Sequence, residues 1–421
     1  LNNPRCAAAE LLVAVMDRGR ALEDALAESP RFNALEGRDR AFARALATAG
    51  LRRLGAINAV LSNFLERPLP DSATLARALL HLGTTQLLVL GTPAHAAVGE
   101  TVEAANSMRE TRGFAKLMNA VLRRVAREGA EIIASQPPGA DLPAWLYTRW
   151  RVAYGETAPR IAQALLHEPP LDLTTKQDAA VWAGRLGGQL TPTGSVRLAD
   201  HGPIESLPGF SEGAWWVQDA AATLPAQLLG DVCGQRVLDL CAAPGGKTLQ
   251  LAAAGAQVTA VDKSEARLKR LRENLARTKL SAEVICADAL ELRTSAPFDA
   301  ILLDAPCTST GTLRRHPDVA WLRRPTDMRA LAELQTKLVA AAADLLKPAG
   351  SLIYAVCSLE PEEGPAIASH ALQSGWRRAP ISTAEAPAEF ITPEGDLRTH
   401  QAHWPEIGGL DGFFAARLVR A

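Results

Sequence analysis

Val237-Leu238-Asp239-Leu240-Cys241-Ala242-Ala243-Pro244-Gly245-Gly246-Lys247-Thr248 decides how the C-terminal part of the chain folds. The apolar run with one acidic position reads as a buried strand, Ala-Ala-Pro-Gly-Gly as a tight turn, and Lys247-Thr248 as the opening of a helix. In open α/β sheets, ligands bind outside the carboxyl ends of strands, where this turn lies. Glycines there let a ligand come close to the backbone. Working outward, Arg236–Leu240, Val258–Val261, Glu283–Ala287, Ala300–Leu303, Ser351–Val356 and Phe413–Val419 read as strands. They alternate with helical stretches such as Ser264–Thr278 and Thr326–Leu346, which predicts a mostly parallel sheet with helices on both faces.

Two nucleotide readings compete for the turn. Gly246-Lys247-Thr248 ends like a phosphate-binding P-loop, and Ile301-Leu302-Leu303-Asp304 looks like its magnesium-binding partner strand. That motif needs a glycine where this chain has Cys241, and Pro244 removes a backbone donor that would cradle phosphate. A dinucleotide fold is weaker still, since no G-x-G-x-x-G occurs in the turn. An S-adenosylmethionine site instead predicts an acidic residue at the end of the second strand for the ribose hydroxyls, and a polar residue after the third near the adenine. Asp262 and Asp288 stand at those places. Each acidic strand end taken singly is compatible with a helix cap.

Two later strands end in cysteine: Asp304-Ala305-Pro306-Cys307 and Tyr354-Ala355-Val356-Cys357-Ser358. A cysteine by itself is usually a small buried hydrophobe. Two at matching strand ends beside a methyl-donor site point to covalent catalysis at a pyrimidine. Cytosine C5 is a poor nucleophile, but thiolate attack at C6 with protonation at N3 makes an enamine whose C5 accepts a methyl group. Such chemistry needs a thiolate, an acid near N3, and a base for the C5 proton. A thiol of pKa about 8.5 is only a few per cent ionised at neutral pH, and Glu362 and Glu363 nearby oppose further ionisation unless they cap the following helix.

With Arg314-Arg315-His316-Pro317-Asp318 and Asp411-Gly412-Phe413-Phe414, these segments resemble the RNA cytosine-5 methyltransferases of the Fmu/Sun (NOL/NOP/Sun) type. The likeness extends to the N-terminus, where Arg112-Gly113-Phe114 through Asn119-Ala120-Val121-Leu122-Arg123-Arg124 is similar to a NusB-like helical domain. It implies Cys357 as nucleophile, Cys307 as the residue assisting product release, and Asp304 in contact with both cytosine and methyl donor. It assigns Cys241, Ala242, Ala243, Pro244, Gly245, Gly246, Lys247, Asp262, Asp288 and Asp304 to S-adenosylmethionine, whose product is S-adenosylhomocysteine. DNA cytosine methyltransferases use the Pro-Cys cysteine, so spacing does not choose between the two thiols. The chain departs from the family at Val356, usually threonine, and at Thr308-Ser309-Thr310-Gly311, usually Ser-Gly-Thr-Gly.

Residues 1–130 show helical spacing. Phe114, Leu117, Met118, Val121, Leu122 and Val125 form one stripe, while Lys116, Arg123 and Arg127 share another face with Arg124 nearby. This region holds 17 basic and 13 acidic residues, against a net charge of −1 for the whole chain. Gln136-Pro137-Pro138-Gly139 reads as a linker, followed by a helix over 143–154, β-like pieces over 171–175 and 195–198 with a helical stretch over 179–186 between them, and Trp215-Trp216, expected to pack inside. Three domains follow: an all-α NusB-like RNA-binding bundle (1–135), a small α+β RNA-binding module (140–220) and a Rossmann-like class I methyltransferase (221–421).

Arg314, Arg315 and His316, with Arg123 and Arg124, are the expected RNA contacts. Six cysteines without a C-x-x-C pair, and no long apolar run, set aside zinc-ribbon, disulfide-stapled and membrane readings and suggest a cytoplasmic protein without a metal. The expected activity is methylation of cytosine C5 in 16S rRNA, free or in a partly assembled small subunit, by a monomer. The rivals are another RNA substrate such as tRNA, an exocyclic-amine methyltransferase, a P-loop NTPase, and a non-catalytic assembly factor.

Overall fold

The computed structural model describes residues 3–420. The chain forms two compact units, one ending at His167 but including Leu313–Arg324, the other formed by Glu168–Thr312 and the residues from Pro325 onward.

The first unit is helical. Helices Pro4–Met16, Gly37–Arg52, Thr74–Leu88, Ala94–Ser107 and Ala115–Ala134 close on one apolar core. Asn3 caps the first of them, its side chain accepting from the Arg5 backbone N–H at 2.9 Å. On Ala115–Ala134, Met118, Val121, Leu122 and Val125 are buried, each such side chain contributing about 1.5–3 kcal/mol. Leu117 lies at the edge of the expected stripe and is 41% exposed.

The expected break at residues 136–139 does not separate domains. Arg53 pairs with Asp141 at 3.0 Å, and the backbone of Gly55 meets Ala140 so closely that a Cβ there would lie 2.0 Å from its carbonyl oxygen. Helices Ala144–Tyr154 and Ala158–Ala164 therefore belong to the helical unit, and the boundary falls after His167 rather than near 140. Leu313–Arg324 also joins this unit, which corrects the expectation of an unbroken C-terminal domain. The Leu22 N–H donates to Asp318 at 2.9 Å, the Trp321 indole to the Leu51 carbonyl at 3.1 Å, and Arg52 to the Arg314 carbonyl at 2.7 Å.

The second unit contains both sheets. Strands β1 (Leu171–Thr175), β2 (Gln189–Leu190), β3 (Val196–Leu198) and β4 (Trp215–Val217) form a four-stranded sheet in the order β2-β3-β1-β4, with Trp215 and Trp216 buried as expected. Asp172 and Arg197 make a buried bidentate ion pair, 2.7 Å in both arms, and Arg197 also donates to the Ile407 and Gly409 carbonyls at 2.9 and 2.8 Å. These bonds bind residues 168–220 to the C-terminal part of the chain as one unit, not as a separate module.

The larger sheet has eight strands: β5 (Arg236–Leu240), β6 (Gln257–Asp262), β7 (Glu283–Cys286), β8 (Phe298–Asp304), β9 (Leu346–Val356), β10 (Trp376–Arg378), β11 (Leu397–Arg398) and β12 (Phe414–Arg420). The order runs β7-β6-β5-β8-β9-β12-β10, with β11 on β12. Strands β5 to β9 pair parallel, and β12 runs antiparallel to β9. Leu352, Tyr354 and Val356 face one apolar core and Ile353 and Ala355 the other, as a strand covered on both faces requires. The chain moves outward from β5 to β7, then returns on the other side of β5 to form β8. That switch between β5 and β8 opens the crevice where ligands bind.

Candidate active site

Every parallel strand delivers its end to this one edge. After β5 the chain turns through Cys241, φ +62°, and Gly245, φ +107°, before the helix Gly246–Ala253. Gly245 occupies a left-handed conformation, and a Cβ there would lie 2.8 Å from the Leu271 side chain, so glycine is required twice over. Asp239 is buried at the end of β5. Its Oδ2 accepts from the Thr248 hydroxyl at 2.6 Å, its Oδ1 has no protein partner, and burial pushes its pKa up to about 7. Burial, reinforced by the carboxylates of Asp304, Asp262 and Asp239, pushes the Cys241 thiol up to about 12 and keeps it neutral.

Asp262 fastens the turn from the end of β6. It accepts from the Ala243 N–H at 3.1 Å and the Ser264 N–H at 2.9 Å, and Arg267 lies 3.4 Å away. Beside it is a shallow cleft, open to solvent, that reaches Cys241 and Asp288. Its walls are apolar (Val261, Ala289, Pro306, Leu334, Leu338), and Asp262 and Asp288 supply acceptors. Apolar walls for a purine, acidic acceptors for ribose hydroxyls and an unpartnered buried carboxylate oxygen fit S-adenosylmethionine.

The ends of β8 and β9 carry the reactive groups. Lys247 Nζ lies 2.7 Å from Asp304 Oδ2 and 5.1 Å from the centre of the Phe413 ring. Burial disfavours the Lys247 charge, but the Asp304 pair outweighs it and the pKa rises, so the ammonium persists. Cys307 and Cys357 converge, Sγ to Sγ 3.5 Å. The hydrogen bond between them divides their behaviour. It raises Cys307 well above the usual thiol value, with burial adding to the rise, and lowers Cys357 against the opposing effects of burial and Asp304. These directions favour ionisation at Cys357 over Cys307.

Glu363 is a residue that the sequence pattern led astray. Its carboxylate does not cap the following helix; Thr308, Ser358 and Gln335 all donate to it. Behind the bond to Cys357 and burial, its charge adds to the rise of the Cys307 pKa. The signal that would have found it is its place after Cys357-Ser358, within reach of the turn that follows Cys307.

The expected RNA contacts all belong to the helical unit. Arg123 and Arg124 are exposed on Ala115–Ala134, and His316 is exposed on the Leu313–Arg324 segment with Arg315 half-buried. Arg314 is 1% exposed, which removes its guanidinium from any surface role. The same segment is held by the Arg314 carbonyl, Asp318 and Trp321.

A Rossmann-like sheet with this strand order, an acidic residue ending β6 and a cleft with acidic acceptors at the switch point are the features of an S-adenosylmethionine-dependent methyltransferase. Residues 226–419 match the family described as 16S rRNA methyltransferase RsmB/F, and residues 2–127 match the NusB family. The chain is 39% identical over 380 residues to ribosomal RNA small subunit methyltransferase B of Vibrio cholerae, covering 86% of this chain and 87% of that protein. It is 37% identical to the protein of the same name from Pseudomonas putida, over 99% of this chain and 98% of the relative. A solved methyltransferase homolog from Pyrococcus horikoshii superposes with a TM-score of 0.56 at 28% identity, over 65% of this chain and 94% of that one. The chain belongs to the RsmB/F family of 16S rRNA methyltransferases, with a NusB domain at its N-terminus, and is an S-adenosylmethionine-dependent RNA methyltransferase. Among the described residues no helix is long and apolar enough to cross a membrane.

Proposed function

We propose that the protein methylates C5 of a cytosine in 16S rRNA through a covalent bond between Cys357 and cytosine C6. The observation that carries this reading is the 3.5 Å approach of two thiols whose pKa values are displaced in opposite directions. S-adenosylmethionine supplies an electrophilic methyl group and leaves as S-adenosylhomocysteine. Asp262 and Asp288 hold the donor, and residues 241–247 form the turn against which it lies. Asp304, kept in place by Lys247, contacts the cytosine on its N3 side. The names of the relatives support 16S rRNA as the substrate, and the NusB domain with Arg123 and Arg124 supplies basic surface for the RNA.

The roles of the two sulfurs follow from their coupling. Cys357, ionised while Cys307 donates to it, attacks C6; the S–C6 bond forms as the C5=C6 π bond breaks, N3 takes a proton from solvent that returns there when the product is released, and C5 becomes nucleophilic enough to take the methyl group. Once the Cys357 sulfur is a thioether, the largest cause of the raised Cys307 pKa is gone. Cys307 then ionises more readily, gives its own proton to solvent water, and as a thiolate accepts the C5 proton. Loss of that proton breaks the S–C6 bond and regenerates the Cys357 thiolate.

The test is to follow RNA that stays attached to protein through denaturation. Cys307→Ala retains the attack and loses the release, so a covalent complex accumulates and turnover stops after one cycle. Cys357→Ala forms no complex and loses methyl transfer by about 10³-fold or more, as removal of a nucleophile does. Trapping by the Cys357 variant instead moves the nucleophile to Cys307. No complex from either variant removes the covalent route.

A further inference from the structure

The geometry assigns to Glu363 a positioning role: its buried carboxylate ties the turn after Cys307 to the turn after Cys357 and so sets the distance between the two sulfurs. This rests on the two-thiol chemistry proposed above. The side chain acts through the neighbours of the two reactive sulfurs. It binds the residue next to each: Thr308 N–H donates to Oε1 at 2.9 Å, the Thr308 hydroxyl to Oε2, and the Ser358 hydroxyl to Oε2 at 2.5 Å. Gln335, reaching from the helix Pro325–Leu345, donates to Oε1 at 3.1 Å and also to the Pro306 carbonyl at 2.8 Å. Glu363 is 0% exposed, and its backbone carbonyl accepts from the buried Tyr354 hydroxyl.

An acidic group buried this fully is costly unless it is well bonded, and here each carboxylate oxygen receives two donors. All of them converge from the loops that carry the thiols or from the helix that closes over them. The arrangement has length and charge as separable properties. Length lets one carboxylate reach Thr308 and Ser358 together. Charge adds to the causes that keep Cys307 protonated, behind its bond to Cys357 and its burial.

Two variants divide these properties. Glu363→Gln keeps the reach and loses the charge, and its amide can donate to the two hydroxyls, which then act as acceptors. Glu363→Asp keeps the charge but is one methylene short of spanning both turns. The distance between the sulfurs is read directly by diamide, which oxidises the two thiols to a disulfide and is itself reduced at its N=N bond to the hydrazide, taking up both hydrogens. Disulfide is measured by mass spectrometry without reductant, alongside turnover and the KM for S-adenosylmethionine.

The expected order is wild type, then Glu363→Gln within about 10-fold, then Glu363→Asp lower by about 10²-fold in kcat, the loss that misplacement by about 1 Å brings. Disulfide formation follows the same order, and the KM for S-adenosylmethionine does not change. Wild-type rates in Glu363→Asp, an inverted order, or a KM that moves in step with kcat overturns the assignment. Should Glu363→Asp fail to fold, Thr308→Val removes one hydroxyl donor and leaves the charge in place; slow disulfide formation there supports the role, and a wild-type rate overturns it. Covalent RNA trapping by Cys307→Ala with Glu363 intact keeps the two ideas apart. Its absence brings down the two-thiol chemistry, whereas trapping together with wild-type behaviour of Glu363→Asp brings down only the positioning role.

Discussion

Cys307 and Cys357 stand at the ends of neighbouring parallel strands, on one edge of one sheet, yet their surroundings treat them in opposite ways. Cys307 is 6% exposed and lies in a turn whose next residue is bonded to a buried carboxylate. Cys357 is half-buried and shares its surroundings with the Lys247 ammonium and the Ser309 hydroxyl, both of which lower its pKa. Two identical side chains are thus driven to opposite ionisation tendencies by their contacts. The bond between the sulfurs is the largest cause of both shifts; the carboxylate behind one and the cation beside the other act in the same direction.

The sharpest way to break the comparison is to push the two turns apart. Gly311 donates to the Cys357 carbonyl at 3.0 Å and accepts from the Gly412 N–H at 2.8 Å. A Cβ on Gly311 would lie 1.9 Å from the Gly412 oxygen and 2.9 Å from the Cys357 oxygen, both backbone atoms that cannot swing away. Gly311→Ala is expected to cost about 1–3 kcal/mol of stability. It should also lower the rate of covalent trapping by about 10²-fold. Denaturant unfolding and single-turnover trapping measure the two effects. A variant with wild-type trapping would mean that the approach of the turns does not govern the reaction.

A smaller effect separates the thiols by pH. Because the Cys357 pKa is lowered from 9.0, its alkylation by iodoacetamide in the resting enzyme should hold up below the ordinary thiol range and fall away as pH drops through that lowered value. Cys307, raised, should stay unreactive across the same range. Replacing Cys307 with alanine removes the largest cause lowering Cys357, leaving burial and Asp304 to push it up. The midpoint should therefore move to higher pH, and the rate at neutral pH should fall by about 10-fold for each unit moved. A midpoint that stays in place would show that Lys247 and Ser309 do the lowering without Cys307.

Much of the catalytic edge was legible before the structure, because strands with period-two or continuous apolar patterns announce their ends, and chemistry gathers there. Asp239, Asp262, Asp304, Cys307 and Cys357 all come from such ends. The boundaries were not legible for the complementary reason. Pro137-Pro138-Gly139 looks like a linker to any local rule, and only the long-range pair Arg53–Asp141 and the tight approach of Gly55 to Ala140 fix it to the helical unit. Leu313–Arg324 is likewise assigned by partners almost three hundred residues away, among them Leu22 and Leu51. Arg314 read as a surface cation because composition does not report direction. Glu363 was read for its charge, and its actual use depends on a turn fifty-five residues earlier in the chain.

Val356 gives the finest test of the comparison, since it is the residue just before the ionising sulfur and the family usually has threonine there. In this chain its side chain is 0% exposed and packs with Leu352, Tyr354 and Phe414 in the apolar core on one face of β9. The nearby hydroxyls are already committed: Thr308 and Ser358 to Glu363, and Thr310 to the Leu359 N–H at 3.0 Å. A threonine hydroxyl buried among apolar groups costs about 1–3 kcal/mol when it finds no partner. Val356→Thr should therefore lower stability by roughly that amount, while turnover changes less than about twofold, well under the 1.36 kcal/mol that a tenfold rate change represents. Thermal unfolding and steady-state methylation read the two quantities separately. If threonine raised turnover instead, the bias toward Cys357 would depend on a hydroxyl that this chain lacks, and the two strand ends would differ less in their built-in chemistry than their surroundings imply.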